Sequence, residues 1–186
     1  MIYAYTDDTI STSITFDFNG HLTFVYPACT DNGWDITVYP DGTIKEDKTN
    51  KSYPYLFWEG DYQQSLLESA KSGFVISSTE MITFLEEKLT KIGLNDTEKT
   101  DFITFWGPQL TEEKYLVKFV QQENCDQLAS YEFTVEPESI LRLYVTFEPI
   151  YGSIEVPAQE LISIERTGFT IVEWGGMILP TSYAQD

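Results

Sequence analysis

Histidine occurs once in this sequence, arginine twice and cysteine twice. A lone His21 cannot supply a His-based metal site, and a triad would need it beside a nucleophile. At the turn after Asn19-Gly20 it reads as a solvated surface residue. Arg142 and Arg166 alone make no guanidinium cluster for phosphate. Cys29 and Cys125 lie far apart with no C-x-x-C pair, which excludes zinc and thioredoxin-like redox motifs. They read as buried thiols, with a single disulfide as the alternative. No G-x-G-x-x-G or G-x-x-x-x-G-K-[ST] loop is present to cradle a nucleotide. The longest apolar run, Tyr53–Trp58, is far too short to cross a bilayer. The opening Met1-Ile2-Tyr3-Ala4-Tyr5-Thr6-Asp7-Asp8 has neither a basic segment nor an apolar core, so no export signal is visible in it.

Acid and aromatic residues are abundant instead. The 186 residues include 30 Asp and Glu against 11 Lys and Arg, for a net charge of −19, and 15% are aromatic. A folded chain of this length buries roughly 70% of its unfolded surface, so it needs no metal or disulfide to hold a core. The aromatic content excludes a disordered acidic tail. The charge weighs against nucleic acid and anionic membrane as partners, since both require cations at the contact.

The pattern along the chain predicts an α+β protein, an antiparallel β-rich single domain of residues 1–186 with an inserted helical hairpin at about 78–107. Residues 1–60 read as a β meander, 61–110 as the helical insertion, 111–176 as β and 177–186 as a C-terminal tail. In residues 10–18, Ile10, Ile14, Phe16 and Phe18 alternate with Ser11, Ser13, Thr15 and Asp17, the period of a half-buried strand. Asn19-Gly20 then suggests a tight hairpin turn to Leu22, Phe24 and Tyr26. Trp34, Ile36 and Val38 alternate next, Pro40-Asp41-Gly42 supplies a turn, and Ser52–Trp58 reads as a strand in which Pro54 demands an edge or a bulge. Ser77 with Glu80 suggests a capping box opening a helix that carries Met81, Ile82, Leu85, Leu89 and Ile92 and ends at Gly93. Asn95 with Glu98 opens a second helix, closed by Gly107-Pro108. A short helix is expected near 63–71. Beyond Leu110, alternating runs return through Phe119, Phe147, Val156 and Ile171.

Two constellations invite a chemical reading. Trp58-Glu59-Gly60 and Glu173-Trp174-Gly175 each set a carboxylate beside an indole, and two carboxylates flanking a Trp-lined cleft would suit glycoside hydrolysis by Glu59 and Glu173. Against it, strand neighbours face opposite ways, so each Trp would be buried with its Glu outside, or the reverse. Asp31, Asn32 and Asp35 gather oxygen ligands on one turn, the start of a weak calcium site. They lack the D-x-[DN]-x-[DN]-G spacing and distal Glu of a high-affinity loop. No cofactor is implied.

Ile36–Gly42, Tyr53–Glu59, Phe105-Trp106-Gly107-Pro108 and Gly168–Gly176 together resemble an uncharacterised, mostly bacterial family, many of whose members look secreted or envelope-associated. The likeness spans about residues 30–176 and implies a shared fold without assigning a catalytic residue. The absence of an export signal departs from that pattern. The chain as it stands would be cytoplasmic or assembly-bound, and extracellular if a leader preceded it.

The leading expectation is a non-catalytic acidic interaction or structural module, a component of an envelope, a virus particle or another large assembly. Trp58, Trp174, Tyr55 and Trp34 are its candidate binding residues, and a protein with a basic surface its expected partner. Neither nucleic acid nor membrane insertion is expected, and an oligomer is compatible with the aromatic content.

Overall fold

A computed structural model describes residues 1–29, 33–62 and 71–181. The chain is rich in antiparallel β-sheet, with two adjacent helices between strands. It divides into two compact units, each built from three stretches: Met1–Leu66, Gln122–Arg142 and Glu165–Trp174 in the first, Leu67–Gln121, Leu143–Ile164 and Gly175–Asp186 in the second.

In the first unit, β1 is Ile2–Tyr5, β2 Ile10–Phe18, β3 Gly20–Tyr26, β4 Gly33–Val38, β5 Ile44–Glu46, β6 Lys51–Tyr53 and β7 Phe57–Tyr62. One five-stranded sheet has the order β10-β2-β4-β5-β6, where β10 is Ala129–Phe133. The period-two pattern of β2 behaves as its sequence dictates: Ile14, Phe16 and Phe18 are buried while Ser11, Thr15 and Asp17 are exposed. Phe16 stacks against Trp34 at 5.3 Å, Trp58 at 5.7 Å and Tyr131 at 5.9 Å, so aromatic rings form the middle of this unit. Offset contacts of this kind add stabilisation beyond buried area.

The expected hairpin at Asn19-Gly20 does not form. β2 pairs with β4 and β10, while β3 leaves that sheet and pairs with β7. Neither Asn19 nor Gly20 takes a positive φ, which the two-residue hairpin turn would require at both centres. The glycine serves proximity instead. A Cβ on Gly20 would lie 2.3 Å from the Asp61 carbonyl oxygen and 2.6 Å from the Phe18 ring, and one on Gly60 would lie 2.4 Å from the same ring. Phe18 fills the gap both glycines leave. The strand expected over Ser52–Trp58 is split at Pro54 into β6, an edge strand, and β7. Proline lacks the N–H a continued ladder needs.

In the second unit, β8 is Phe74–Ser77, α1 Met81–Ile92, α2 Asp96–Trp106 and β9 Lys114–Gln121. The strand β8 falls inside the stretch expected to be purely helical. Ser77 pairs with Lys114 in the sheet, and α1 therefore begins at Met81 with Glu80 as its cap residue, without a side-chain capping bond. The expected capping box at Ser77 is replaced by a Ser77 hydroxyl bond to the Glu80 carboxylate, 2.6 Å. The box at Asn95 and Glu98 forms in full, and Gly93 closes α1 with φ 119°. Phe84, absent from the expected apolar stripe, is buried, and Ile82 is exposed. The helix expected near 63–71 lies, but for Lys71, outside the described residues.

Strands β11 (Ser139–Pro149) and β12 (Thr170–Ile178) each continue from one unit into the other. In the first unit β1 pairs antiparallel with β12, setting Ile2 opposite Glu173, and the order is β1-β12-β11. In the second the order is β11-β9-β8, with Phe147 opposite Val117. Residues 151–167, in which Ile154 and Val156 looked strand-like, have no regular structure. Part of that segment is fastened by glutamine side chains. Gln159 both donates to and accepts from the Phe119 backbone, and Gln121 does the same with Ile162 (2.8 and 3.1 Å).

Candidate functional site

The first unit holds a cavity of about 300 Å³ lined by Ile2, Phe133, Ile140 and Ile171 on its apolar side and by Gln122, Glu123, Asp126, Tyr131, Arg142 and Glu173 on its polar side. Its floor is an ordered relay of hydrogen bonds. The Trp58 indole N–H donates to the Tyr131 hydroxyl at 2.8 Å, and that hydroxyl donates to Glu173 Oε1. Arg142 Nε donates to Glu173 Oε2 at 2.7 Å, Nη1 to Asp126, and Nη2 to the Ala129 carbonyl at 2.6 Å. The Arg142 guanidinium also lies 4.9 Å from the Tyr131 ring centre. Gln122 completes the frame, its amide accepting from Arg142 N and donating to Ile140 O, so a side chain occupies a strand-pairing position.

Burial governs the electrostatics here. Glu173 is 1% exposed and Arg142 6%, so neither charge could persist there without the other. Burial holds the Tyr131 hydroxyl well above the usual phenol range; the Glu173 charge and hydrogen bond push the same way, with Arg142 opposing them. Tyr131 is therefore a fixed donor rather than a proton carrier near neutrality. Both carboxylate oxygens of Glu173 and all three nitrogens of Arg142 are engaged, which leaves the pair suited to rigidity more than to proton transfer.

The second feature is the outer face of the β3–β7 pair. Trp58, Gly60 and Tyr62 point inward, with Trp58 and Tyr62 packing at 4.8 and 6.1 Å from Phe18. Alternation then places Phe57, Glu59 and Asp61 on the other side. The register sets Tyr26 opposite Phe57, Phe24 opposite Glu59 and His21 opposite Asp61. Phe24 and Tyr26 are each 53% exposed. With Met1, Tyr55 and Phe57 they line an open groove of about 380 Å³ that has almost no polar surface. In it the Phe24 and Phe57 rings meet at 58°, and Tyr26 also packs edge-on, at 88°, to Tyr53 of β6. One end of this face is thus aromatic and the other acidic.

The residues singled out from sequence fall in different places. Glu173 lies in the cavity; Glu59 is exposed on β7 and is not among the cavity-lining residues. Trp58 reaches the cavity floor through Tyr131. Trp174 is buried 6.5 Å from Tyr3, and Tyr55 lines the open groove while also packing edge-on to Tyr3. Trp34 is buried against Phe16 with its N–H donated to Pro27 O. Asp35 accepts from Ser13 at 2.7 Å on an exposed position, whereas Asp31 and Asn32 lie outside the described residues. Among the described residues no three His, Cys, Asp or Glu side chains converge to hold a metal. Cys29 and Cys125 are not joined in a disulfide, Cys125 being buried and Cys29 half-buried. No helix among the described residues is long and apolar enough to cross a membrane.

Sequence reasoning missed Arg142, Tyr131 and Asp126. One signal was available, because Arg142 interrupts the apolar run Ile140-Leu141-Arg142-Leu143, and a cation buried in a strand demands a carboxylate partner. Nothing local identified that partner as Glu173.

No family model and no solved structure matches the chain. It is similar to an uncharacterised protein in the bglA 3' region of Butyrivibrio fibrisolvens, with 38% identity over 63 residues, 33% of this chain. The chain spans 64% of that protein's length.

Proposed function

We propose that the chain is a non-catalytic interaction module that recognises a basic surface of a partner protein through the outer face of β3 and β7. One observation carries this reading: Phe24, Tyr26 and Phe57 share an exposed sheet face with Glu59 and Asp61. Lysine and arginine have apolar stems and cationic heads, and such a face meets both. Rings set at steep angles favour enclosing a cation over the flat stacking that a row of sugars would need. The net charge of −19 would steer a basic partner toward the molecule. A place in a larger assembly, such as a bacterial envelope or a virus particle, accords with this reading, as does secretion in the manner of the family it resembles.

A hydrolytic pair of Glu59 and Glu173 gains no support from a geometry in which one is exposed on β7 and the other is locked to Arg142 and Tyr131. A calcium role for Asp35 gains no support either: its carboxylate accepts from Ser13 and lies 3.9 Å from Lys48, and Asp31 and Asn32 lie outside the described residues.

The reading is tested by placing a photo-crosslinking residue at Phe24 in the native host and reconstituting the captured protein in purified form. Phe24→Ser with Tyr26→Ser should weaken that complex at least about tenfold, and binding should fall steeply with salt. A complex indifferent to both, or sugar cleavage by the purified chain that Glu59→Gln abolishes, would overturn it.

A further inference from the structure

The cavity of the first unit is a separate feature from the β3–β7 face, and its chemistry points to a different ligand. At about 300 Å³ it stands at the lower end of the size range of small-molecule sites. It is two-sided: Ile2, Ile140, Ile171 and Phe133 form an apolar wall, and Glu123 and Asp126 stand at its polar side on the short 3-10 helix Gln122–Gln127.

The charge of the occupant follows from which groups are already committed. Among the described residues Arg142 is the one cation lining the space, and its Nε, Nη1 and Nη2 are held by Glu173, Asp126 and the Ala129 carbonyl. An incoming anion would have to break a buried pair to reach it, and breaking such a pair is strongly unfavourable. It would also approach Glu123 and Asp126, two carboxylates exposed to solvent. Three carboxylates against one guanidinium leave the lining net negative.

We propose that this cavity binds a small organic cation with an apolar body, the body against Ile2, Ile140, Ile171 and Phe133, and the ammonium at the Glu123 and Asp126 rim. Strand β12 supplies both Ile171 and Glu173 to this lining from one face, and the Tyr131–Glu173–Arg142 relay holds its floor rigid. Preorganisation of this kind lowers the ordering cost that binding otherwise incurs.

Three probes of one skeleton separate the possibilities: 2-phenylethylammonium, 2-phenylethanol and phenylacetate, titrated into the full chain by calorimetry and by amide chemical-shift mapping. The ammonium should bind at least tenfold more tightly than the alcohol, the phenylacetate should not bind, and shifts should centre on Ile140, Ile171 and residues 122–126. Glu123→Gln, at an exposed position, should weaken the ammonium about three- to fivefold, and Ile140→Phe should block it by filling the wall. Equal binding of ammonium and alcohol, preferential binding of phenylacetate, shifts confined to Phe24, Tyr26 and Phe57, or no binding up to ~10 mM would each overturn the proposal. The shift map requires no variant, so a substitution that fails to fold leaves the test intact.

Discussion

Trp58-Glu59 and Glu173-Trp174 pair the same two residue types in reversed order and meet opposite fates. On β7 the rule of strand alternation holds: Trp58 points toward Phe18 and Tyr131, and Glu59 faces water. On β12 both members are buried, Glu173 at 1% and Trp174 at 2% exposure. The difference is position in the sheet. The β3–β7 pair has one covered face, whereas β12 lies between β1 and β11 and is covered on both. A strand with two buried faces cannot put a carboxylate into water, so it must supply a partner, and Arg142 and Tyr131 are that partner. The same pair of residue types therefore yields a solvent-facing carboxylate in one place and an internal tie in the other.

This contrast can be broken most directly at the tie. Removing one member, by Glu173→Ala or Arg142→Ala, leaves a buried charge uncompensated and should cost about 3–5 kcal/mol in denaturant unfolding. The double change Glu173→Leu with Arg142→Met should be far less damaging than either single removal. If the singles cost no more than a surface substitution, the pair is not the buried element described.

Next in size is Gly60→Ala, which drives a methyl into the Phe18 ring and the His21 carbonyl. It should cost about 1–3 kcal/mol, with Phe18→Leu in the same chain restoring part of the loss. Tyr131→Phe should cost about 1–2 kcal/mol, because a buried indole N–H and a buried carboxylate each lose a hydroxyl. The same residue sets an alkaline limit. Its pKa is raised on folding, so its contribution is complete below the ordinary phenol value near 10 and declines as pH climbs from there toward the folded value. Unfolding free energies at pH 9 and 11 should diverge in the parent and diverge less in Tyr131→Phe. Smallest of all is Glu59→Gln, within about 0.5 kcal/mol in stability yet measurable in partner binding, the signature of a group that faces outward.

Much of the local structure was legible because single residues decide it. Asn95 and Glu98 satisfy each other's backbone, Gly93 takes a φ few other residues tolerate, and Pro54 interrupts a ladder. What failed were readings in which a local signal competed with a distant one. Asn19-Gly20 carries hairpin chemistry, but Asn19 N–H donates to Leu128 O and Gly20 is needed beside Asp61, so tertiary pairing decides the turn. Ser77 is a good cap, yet its strand pairing with Lys114 takes precedence. The candidate site was only half legible. Aromatic–carboxylate pairs can be seen in a string of letters, but the Glu173–Arg142 pair joins positions with no periodic relation.

The glutamines of the second unit have a wider implication. Past the end of β8, the backbone of β9 at Phe119 would be an open template on which another chain could add a strand. Gln159 occupies that template with a primary amide, a chemical copy of the peptide group it stands in for. Exchanging it for glutamate would set a second oxygen against the Phe119 carbonyl and convert a latch into a repulsion. This stretch of β9 is thus closed by one primary amide, carried on a segment that has no regular structure of its own.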